Sequence, residues 1–387
     1  MVLGITQEQH PDRLRLFAQW QQFGWPILWD PINWMESSAV PIVLAIDEHG
    51  IVRAIRPKPE TFQQEFLNQT FRDDAPLESV AENPSTARPA RRPDLAPLRQ
   101  RADKSDSARK HRDLGDALVL WGGEKETSEA IAEYATARRL DAADAAASFR
   151  LGVAHRLRHD SSSRQPADFQ QAIAHWEQAL AANPNQYIWR RRIQQFGPRL
   201  DKPYPFYDWV EQARREVIAR GEQPLPLIVD PYGAEIASPV KNFAAEQQPA
   251  KAPDLDGKIT RDKAELITGE VTLVPSRVKP GGSARVHLTL QPNPLKKSHW
   301  NNEADPLLVW IDPPAEWQIS QRLHTFPAPK EPTSHEVRRI DFEVQAPANA
   351  TGKLKLSAYA LYFVCDDELE SCLFLRHDFE VVIEVAK

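Results

Sequence analysis

Apolar positions along the chain follow three successive periods. In the first 70 residues, Val2–Ile5, Val40–Ile46 and Ile51–Ile55 are short, largely β-branched runs, while Leu14, Phe17 and Ala18 within Pro11–Phe23 repeat at helical spacing. Pro11 and Asp12 suit the first turn of that helix, where a missing N–H and a negative charge are both tolerated. Asp47-Glu48-His49-Gly50 is turn chemistry that joins two strands as a hairpin, and Pro59–Leu67 reads as a closing helix. Strands alternating with helices predict an α/β unit over residues 1–71.

The period changes at about residue 110. Residues 110–237 are alanine-rich and helical, with Ala130, Tyr134, Ala137 and Ala142 recurring 42 residues later as Ala172, Trp176, Ala179 and Pro184. Small–aromatic–small spacing lets paired helices approach closely. Together with Leu151-Gly152 and the helix-ending Pro184, the second copy resembles a tetratricopeptide repeat. Its period of roughly 34 residues would be lengthened here by the polar stretch His159–Pro166. The resemblance implies a surface for a protein partner, with Tyr207–Arg220 completing the unit.

From residue 265 to 387 the pattern is alternating: Gly269–Leu273, Ala284–Leu290, Leu307–Ile311, Glu336–Val344, Lys353–Val364 and Leu373–Val385. With turn residues between them these predict an antiparallel β-sandwich. The intervening stretches 72–109 and 238–264 are rich in proline and charge and are expected to be linkers, the first flexible. The fold class is therefore multidomain α+β.

Composition narrows the function. A net charge of −6 over 387 residues gives no broad positive field, so no nucleic-acid partner is expected. The longest apolar run, within Ala39–Ile46, is far too short for the roughly 20 residues of a membrane span. The first residues, Met-Val-Leu-Gly-Ile-Thr-Gln-Glu, have neither the charged start nor the apolar core of an export leader, which favours a cytoplasmic setting.

The only two cysteines are Cys365 and Cys372. Six residues, Asp366 to Ser371, form a hairpin tip between them, so the cysteines sit at opposed strand ends near disulfide reach. The intervening carboxylates disfavour a thiolate, so attack by a partner's thiolate is the natural direction of exchange. A redox-active pair, an inert staple and free thiols all remain open. Cys365, Cys372 and His377 fall one ligand short of a structural zinc site, and neither metal nor cofactor is expected.

Two further resemblances sharpen this. Gly4-Ile5-Thr6-Gln7-Glu8, Arg13–Trp20, Trp25–Asp30, Val40-Pro41 and Ile46–Gly50 look like the second half of a redoxin of the peroxiredoxin (AhpC/TSA) or TlpA-like thioredoxin-fold type. That resemblance implies a cis-proline at Pro41. The family's cysteine-bearing helix should precede Val2, so either an upstream segment carries the nucleophile or the unit is a degenerate binding module. Tyr362–Cys365, Cys372–Phe374 and the strand on to Val385 resemble the immunoglobulin-like N-terminal domain of the thiol:disulfide interchange protein DsbD. This implies a bacterial, extracytoplasmic relay in which Cys365 and Cys372 exchange electrons with a thioredoxin-like protein or a membrane donor. The alternative is a non-catalytic scaffold with a structural disulfide.

Other candidates carry plainer readings. His155 and His159 are one helical turn apart without the glutamate of a zinc-protease motif, and read as a solvated face. Trp189–Arg192 with Phe196, Arg199, Lys202 and Tyr204 reads as arginines packed on aromatics. His299–Glu303 reads as a polar loop able to cap the cysteine tip.

Overall fold

The computed structural model describes residues 1–72, 93–104, 106–198, 207–228, 230–231, 235 and 251–386. Helices and sheets are both present, in three regions that pack against one another.

In the first region β1 (Gly4–Thr6) runs parallel to β2 (Ile27–Trp29), connected by α1 (Pro11–Gln21). A hairpin of β3 (Leu44–Ile46) and β4 (Val52–Ile55) follows; Asp47 holds its turn by accepting from the His49 and Ile51 N–H groups, and Gly50 takes φ 80°. The expected strand from Val40 is shorter than its composition suggests, and the Val40–Pro41 peptide is cis. α2 (Pro59–Phe62) continues as a π-turn to Leu67. The two small sheets share no hydrogen bonds with each other. Trp34, Val43, Ile46 and Ile55 remain exposed on this region.

The helical region starts earlier than expected. α3 (Ala96–Asp103) occupies the supposed linker, with Leu95 and Ala102 buried beside α4 (Ala108–Ala117) and Arg99 paired to Glu129 at 2.6 Å. Buried leucine and alanine make that stretch core, which its charge-rich composition conceals. The proline-rich part of the linker, including Pro84–Pro89, lies outside the described residues.

Two helical hairpins follow the same rule. Gly115 of α4 faces Tyr134 of α5 (Thr127–Leu140), and Gly152 of α6 (Ala145–His159) faces Trp176 of α7 (Asp168–Ala182). A Cβ on either glycine would come within 2.6 Å or 2.5 Å of the ring, so only a hydrogen fits. Tyr134 donates to Asp116 at 2.8 Å, which Arg150 meets at 2.6 Å. Burial pushes Asp116 up to about 6, still ionised at neutral pH beside Arg150. α8 (Tyr187–Gln194) and α9 (Val210–Ala219) complete the region.

The third region is a sandwich. One sheet runs β10 (Gln318–Ile319), β13 (Arg338–Gln345), β7 (Ser283–Pro292), β5 (Ile267–Val274). The other runs β11 (Leu323–Phe326), β9 (Leu307–Asp312), β14 (Gly352–Asp366), β15 (Ser371–Val385), β6 (Arg277–Val278), with β8 (Ser298–Asn301) bridging β14 and β12 (Thr333–Ser334). Pairing is antiparallel except for β6 with β15. Val286, Leu288, Trp300, Phe342 and Tyr362 meet in its core. The second supposed linker is partly docked: the Asp254 N–H donates to the Tyr359 hydroxyl oxygen at 3.1 Å, and Arg376 pairs with the Asp254 carboxylate at 2.7 Å.

 Residues 238–250 of that linker lie outside the described residues.

The three regions share buried contacts. Ile32 of the first and Val274 of the third join Phe149, Trp176, Trp189 and Phe196 in one helical-region cluster. Arg192 reaches from α8 to Gln9 and to the Gln7 and Pro31 carbonyls, and Arg13 of α1 pairs with Glu235 at 2.5 Å. On the other side, Leu273 N–H donates to Gln170 at 3.2 Å, Ser276 N–H donates to Glu177 at 2.8 Å, and Arg164 pairs with Glu270 at 3.0 Å. Three buried histidines meet at the junction. His10 lies 3.7 Å from Asp160, His159 packs on Phe169, and His287 contacts the same ring, the Phe196 carbonyl and Asp341.

Two outcomes are expected. Gly152→Ala forces a methyl into Trp176 and the Ala172 carbonyl, so it should cost about 2–3 kcal/mol, the range of an overpacked core; tryptophan-monitored urea unfolding measures this, and an unchanged midpoint would contradict the packing. Burial first, then neighbouring arginines, hold His10 and His159 well below the usual imidazole range. Both bind protons in the unfolded chain before the folded one, so stability is full above about pH 6.5 and falls below it, by about 1.4 kcal/mol per pH unit for each group. Asp116 and Glu8, both raised by burial, act in the opposite sense. The check is therefore a difference: His10→Gln should flatten the loss of melting temperature between pH 7 and pH 5 relative to the parent chain.

Candidate functional site

β14 and β15 pair without interruption from Gly352 opposite Val385 to Asp366 opposite Ser371, so Cys365 and Cys372 are directly opposed on the last rungs. Their Cα atoms are 3.9 Å apart and their sulfurs are joined at 1.97 Å. Strand alternation sets what surrounds the bond. Leu356, Ala358, Ala360, Tyr362 and Val364 point into the sandwich. Cys365 and Phe363 therefore lie on the outer face, with Phe374 stacked on Phe363 at 4.6 Å two rungs below the disulfide. Farther along the same face, Arg376 lies over the Tyr359 ring at 3.8 Å. His377 is on the opposite, inward face, beside Gly269 and Phe379, so it does not join the cysteines.

The two sulfurs have unequal surroundings. Cys365 sits between β15 and β8, where it is paired in register with His299, and only 6% of it is exposed. Cys372 is exposed, and among the described residues no strand pairs with the outer edge of β15 between Ser371 and Leu375. Leu369, Leu373 and Phe374 present exposed apolar surface beside it.

The tip is secured independently of the disulfide. Asp366 accepts from the Glu368 and Leu369 N–H groups at 2.9 and 3.2 Å, Asp367 N–H donates to the Lys297 carbonyl at 2.8 Å, and His299 Nδ1 lies 2.9 Å from the Asp367 carboxylate. His299–Asn301 is thus strand rather than loop. Ser298 and Trp300 are buried, and Trp300 packs edge-on to Tyr362 while Arg338 covers its face. The strand flanks the cysteine end rather than folding over it.

The remaining sequence candidates separate. His155 pairs with Asp168 at 2.9 Å and His159 is buried against Phe169, so neither is solvated and they share no ligand position. Arg192 is buried near Phe149 and Trp176 and tied to the first region, whereas Arg199, Lys202 and Tyr204 lie outside the described residues. Pro41 belongs to the first region, which contains no cysteine. No described helix is long and apolar enough to cross a membrane.

No family model and no curated protein matches the chain. Solved structures that align include the ASH/PapD-like domain of human CEP192, at 10% identity over 38% of this chain and 96% of that one, with a TM-score of 0.17. Spo0M, a sporulation control protein from Bacillus subtilis, aligns at 8% identity over 31% of this chain and 50% of its own, with a TM-score of 0.17. AvmM, described as catalysing macrocyclisation in alchivemycin A biosynthesis, aligns at 9% identity over 33% and 95%, with a TM-score of 0.19. Similarities this low identify neither fold family nor function for this chain.

Because backbone and side-chain bonds hold the tip, opening the disulfide should weaken the sandwich without unfolding it. The Cys365→Ser, Cys372→Ser double variant is expected to lose about 2–3 kcal/mol, the chain-entropy value for so short a loop. Guanidinium unfolding of the full chain measures it, and outright loss of the folded baseline would contradict an independently held tip.

Proposed function

We propose that this chain is a thiol–disulfide redox protein that accepts or passes reducing equivalents through Cys365 and Cys372. The observation that carries the reading is the unequal pair: one sulfur exposed on an open strand edge with apolar neighbours, the other buried behind it. A partner's thiolate attacks the Cys372 sulfur, a partner–Cys372 bond forms, and the electron pair of the broken S–S bond leaves on Cys365, which then takes a proton. A second partner thiol, giving up its proton, attacks its own sulfur in the mixed disulfide and releases Cys372 as a thiolate, which takes the second proton. Two electrons and two protons have then moved to this chain, and the partner is left as a disulfide.

Chemistry of this kind fits a partner dithiol of the thioredoxin type or a membrane electron donor. Leu369, Leu373 and Phe374 suit an apolar rim around the partner's thiol, and Asp366, Asp367, Glu368 and Glu370 favour a basic surface beyond it. We read the sandwich as immunoglobulin-like and related in use to the DsbD N-terminal domain, and an oxidising extracytoplasmic setting goes with such a bond. In the same reading the first region is a redoxin-like unit with Pro41 as its cis-proline, lacking a thiol of its own, and the glycine-on-aromatic helical hairpins are tetratricopeptide-like and engage a protein partner.

A scaffold reading with a structural disulfide is favoured by one specific observation, the buried contacts that tie all three regions together. Single-cysteine variants and the redox midpoint separate the two. Cys365→Ser, which keeps the exposed thiol, should react with a maleimide and form mixed disulfides at least tenfold faster than Cys372→Ser. The parent pair should equilibrate with glutathione or dithiothreitol buffers at roughly −120 to −270 mV, where exchange catalysts lie. A midpoint well below about −300 mV, with equal reactivity of the two variants, would leave only the staple.

A further inference from the structure

A recess of about 340 Å³ opens between α5, α6 and α7, remote in sequence from the cysteines. Its apolar surface comes from Ile131 and Ala135 on α5 and Leu151 on α6. Nitrogen-bearing side chains supply the rest: Arg138 and Arg139 from the last turn of α5, His155 from α6 and His175 from α7. Among the described residues no carboxylate lines it.

The polar groups are arranged as though a negative charge were missing. Arg138 Nη1 lies 3.2 Å from His175 Nδ1, and a guanidinium only donates, so that nitrogen accepts and the ring is neutral. Burial first, then His155 and Arg138, push His175 down to about 4, which agrees with a neutral ring. The Arg138 Nε is buried without an acceptor. Among the described residues neither Arg138 nor Arg139 has a carboxylate partner. Asp168, the acid paired with His155 at 2.9 Å, is also engaged by Arg158 at 2.6 Å. The helix macrodipole accounts for cations in the last turn of α5. It does not account for a guanidinium turned toward a neutral imidazole with its Nε buried and unsatisfied, which costs free energy until an acceptor arrives.

We propose that this recess binds a carboxylate carried on a short apolar stem, the acid bridging Arg138 and Arg139 and the stem resting on Ile131, Ala135 and Leu151. Guanidinium groups grip a planar carboxylate through paired N–H donors, and the volume lies at the small end of ligand pockets, which run from roughly 300 to 1,000 Å³. Two sources share this chemistry: a free aliphatic acid, and the C-terminal residue of a peptide ending in an apolar side chain. The proposal goes beyond the redox reading and does not rest on it, since no cysteine takes part.

The test uses the full-length chain, with calorimetry and the ring-proton NMR signals of His155 and His175. The probes are hexanoate, hexanamide, N-acetyl-Ala-Leu as the free acid, and the same dipeptide as its C-terminal amide. At least one acid should bind saturably and shift both histidine signals, with its amide at least tenfold weaker. Tighter binding of the dipeptide acid identifies a peptide terminus as the source, and tighter binding of hexanoate identifies a free acid. The Arg138→Gln, Arg139→Gln variant should lose at least tenfold in affinity. Ala135→Met, which fills the recess and leaves both charges in place, should do the same with an unchanged circular-dichroism melt. Equal binding of acid and amide, binding by inorganic phosphate in preference to both acids, no binding by either acid, or full affinity in both variants would overturn the proposal.

Discussion

Trp176 is the side chain on which the rest of the architecture depends. It is fully buried, its Nε1–H donates to the Phe149 carbonyl at 3.2 Å, and its ring lies against the bare Cα of Gly152. Phe196 stacks on it at 5.8 Å and the Arg192 guanidinium lies 5.8 Å from its ring centre. An indole of this size can be enclosed only if the facing helix has no side chain at the contact, which makes glycine obligatory at 152. The same cluster takes in Ile32 from the first region and Val274 from the sandwich. One helix–helix contact therefore also supplies apolar surface to two module interfaces.

Around that apolar centre the interfaces are closed by buried charge. Arg192, Arg13 and Arg150 each lose most of their water; Arg192 and Arg13 recover hydrogen bonds across an interface, and Arg150, paired with Asp116 inside the helical region, also reaches Glu36 of the first region at 3.4 Å. Such pairs add little net stability, because desolvation offsets most of the attraction, but a displaced partner leaves a charge buried and unpaired. The consequence is orientational: sliding one region past another breaks several of these bonds at once. The first region is consequently held in a defined attitude to the helices, and Arg164–Glu270 and Ser276–Glu177 hold the sandwich to them in turn, while the cysteine hairpin ends on a strand edge unpaired among the described residues.

How much of this could be read from the sequence depended on whether the determining contacts were local. Strict alternation through Leu354–Val364, with six residues between Cys365 and Cys372, was sufficient for a hairpin with opposed cysteines, because strand period and turn length are local properties. Tyr134 and Trp176 are legible as a repeat, and Leu151-Gly152 marks the partner of the second; the matching Leu114-Gly115 precedes Tyr134 by about 20 residues and shows its role only when the two helices are paired. The charged composition of α3 conceals it, because Leu95, Leu98 and Ala102 are all that this stretch contributes to the apolar cluster. β8 was mistaken for a loop because four residues give too little alternation to register, and its burial is supplied by Tyr362 and Arg338 from distant strands. The Arg192 and Arg13 contacts span more than 150 residues and left no local trace.

The neighbourhood of Cys365 also bears on the direction of exchange. In the proposed exchange the departing Cys365 sulfur would carry a negative charge at a buried position close in sequence to Asp366 and Asp367, which low-dielectric surroundings and nearby carboxylates both oppose. His299 stands opposite Cys365 in the β8–β14 register, with Nδ1 facing the Asp367 carboxylate at 2.9 Å. An imidazole in that position engages one of the two carboxylates. The exposed sulfur therefore suits the role of entry point, and the buried one that of a leaving group whose charge must be quenched by a proton. That division follows from strand order alone: β8 covers one side of β14 at Cys365, and nothing among the described residues covers the corresponding edge of β15 at Cys372.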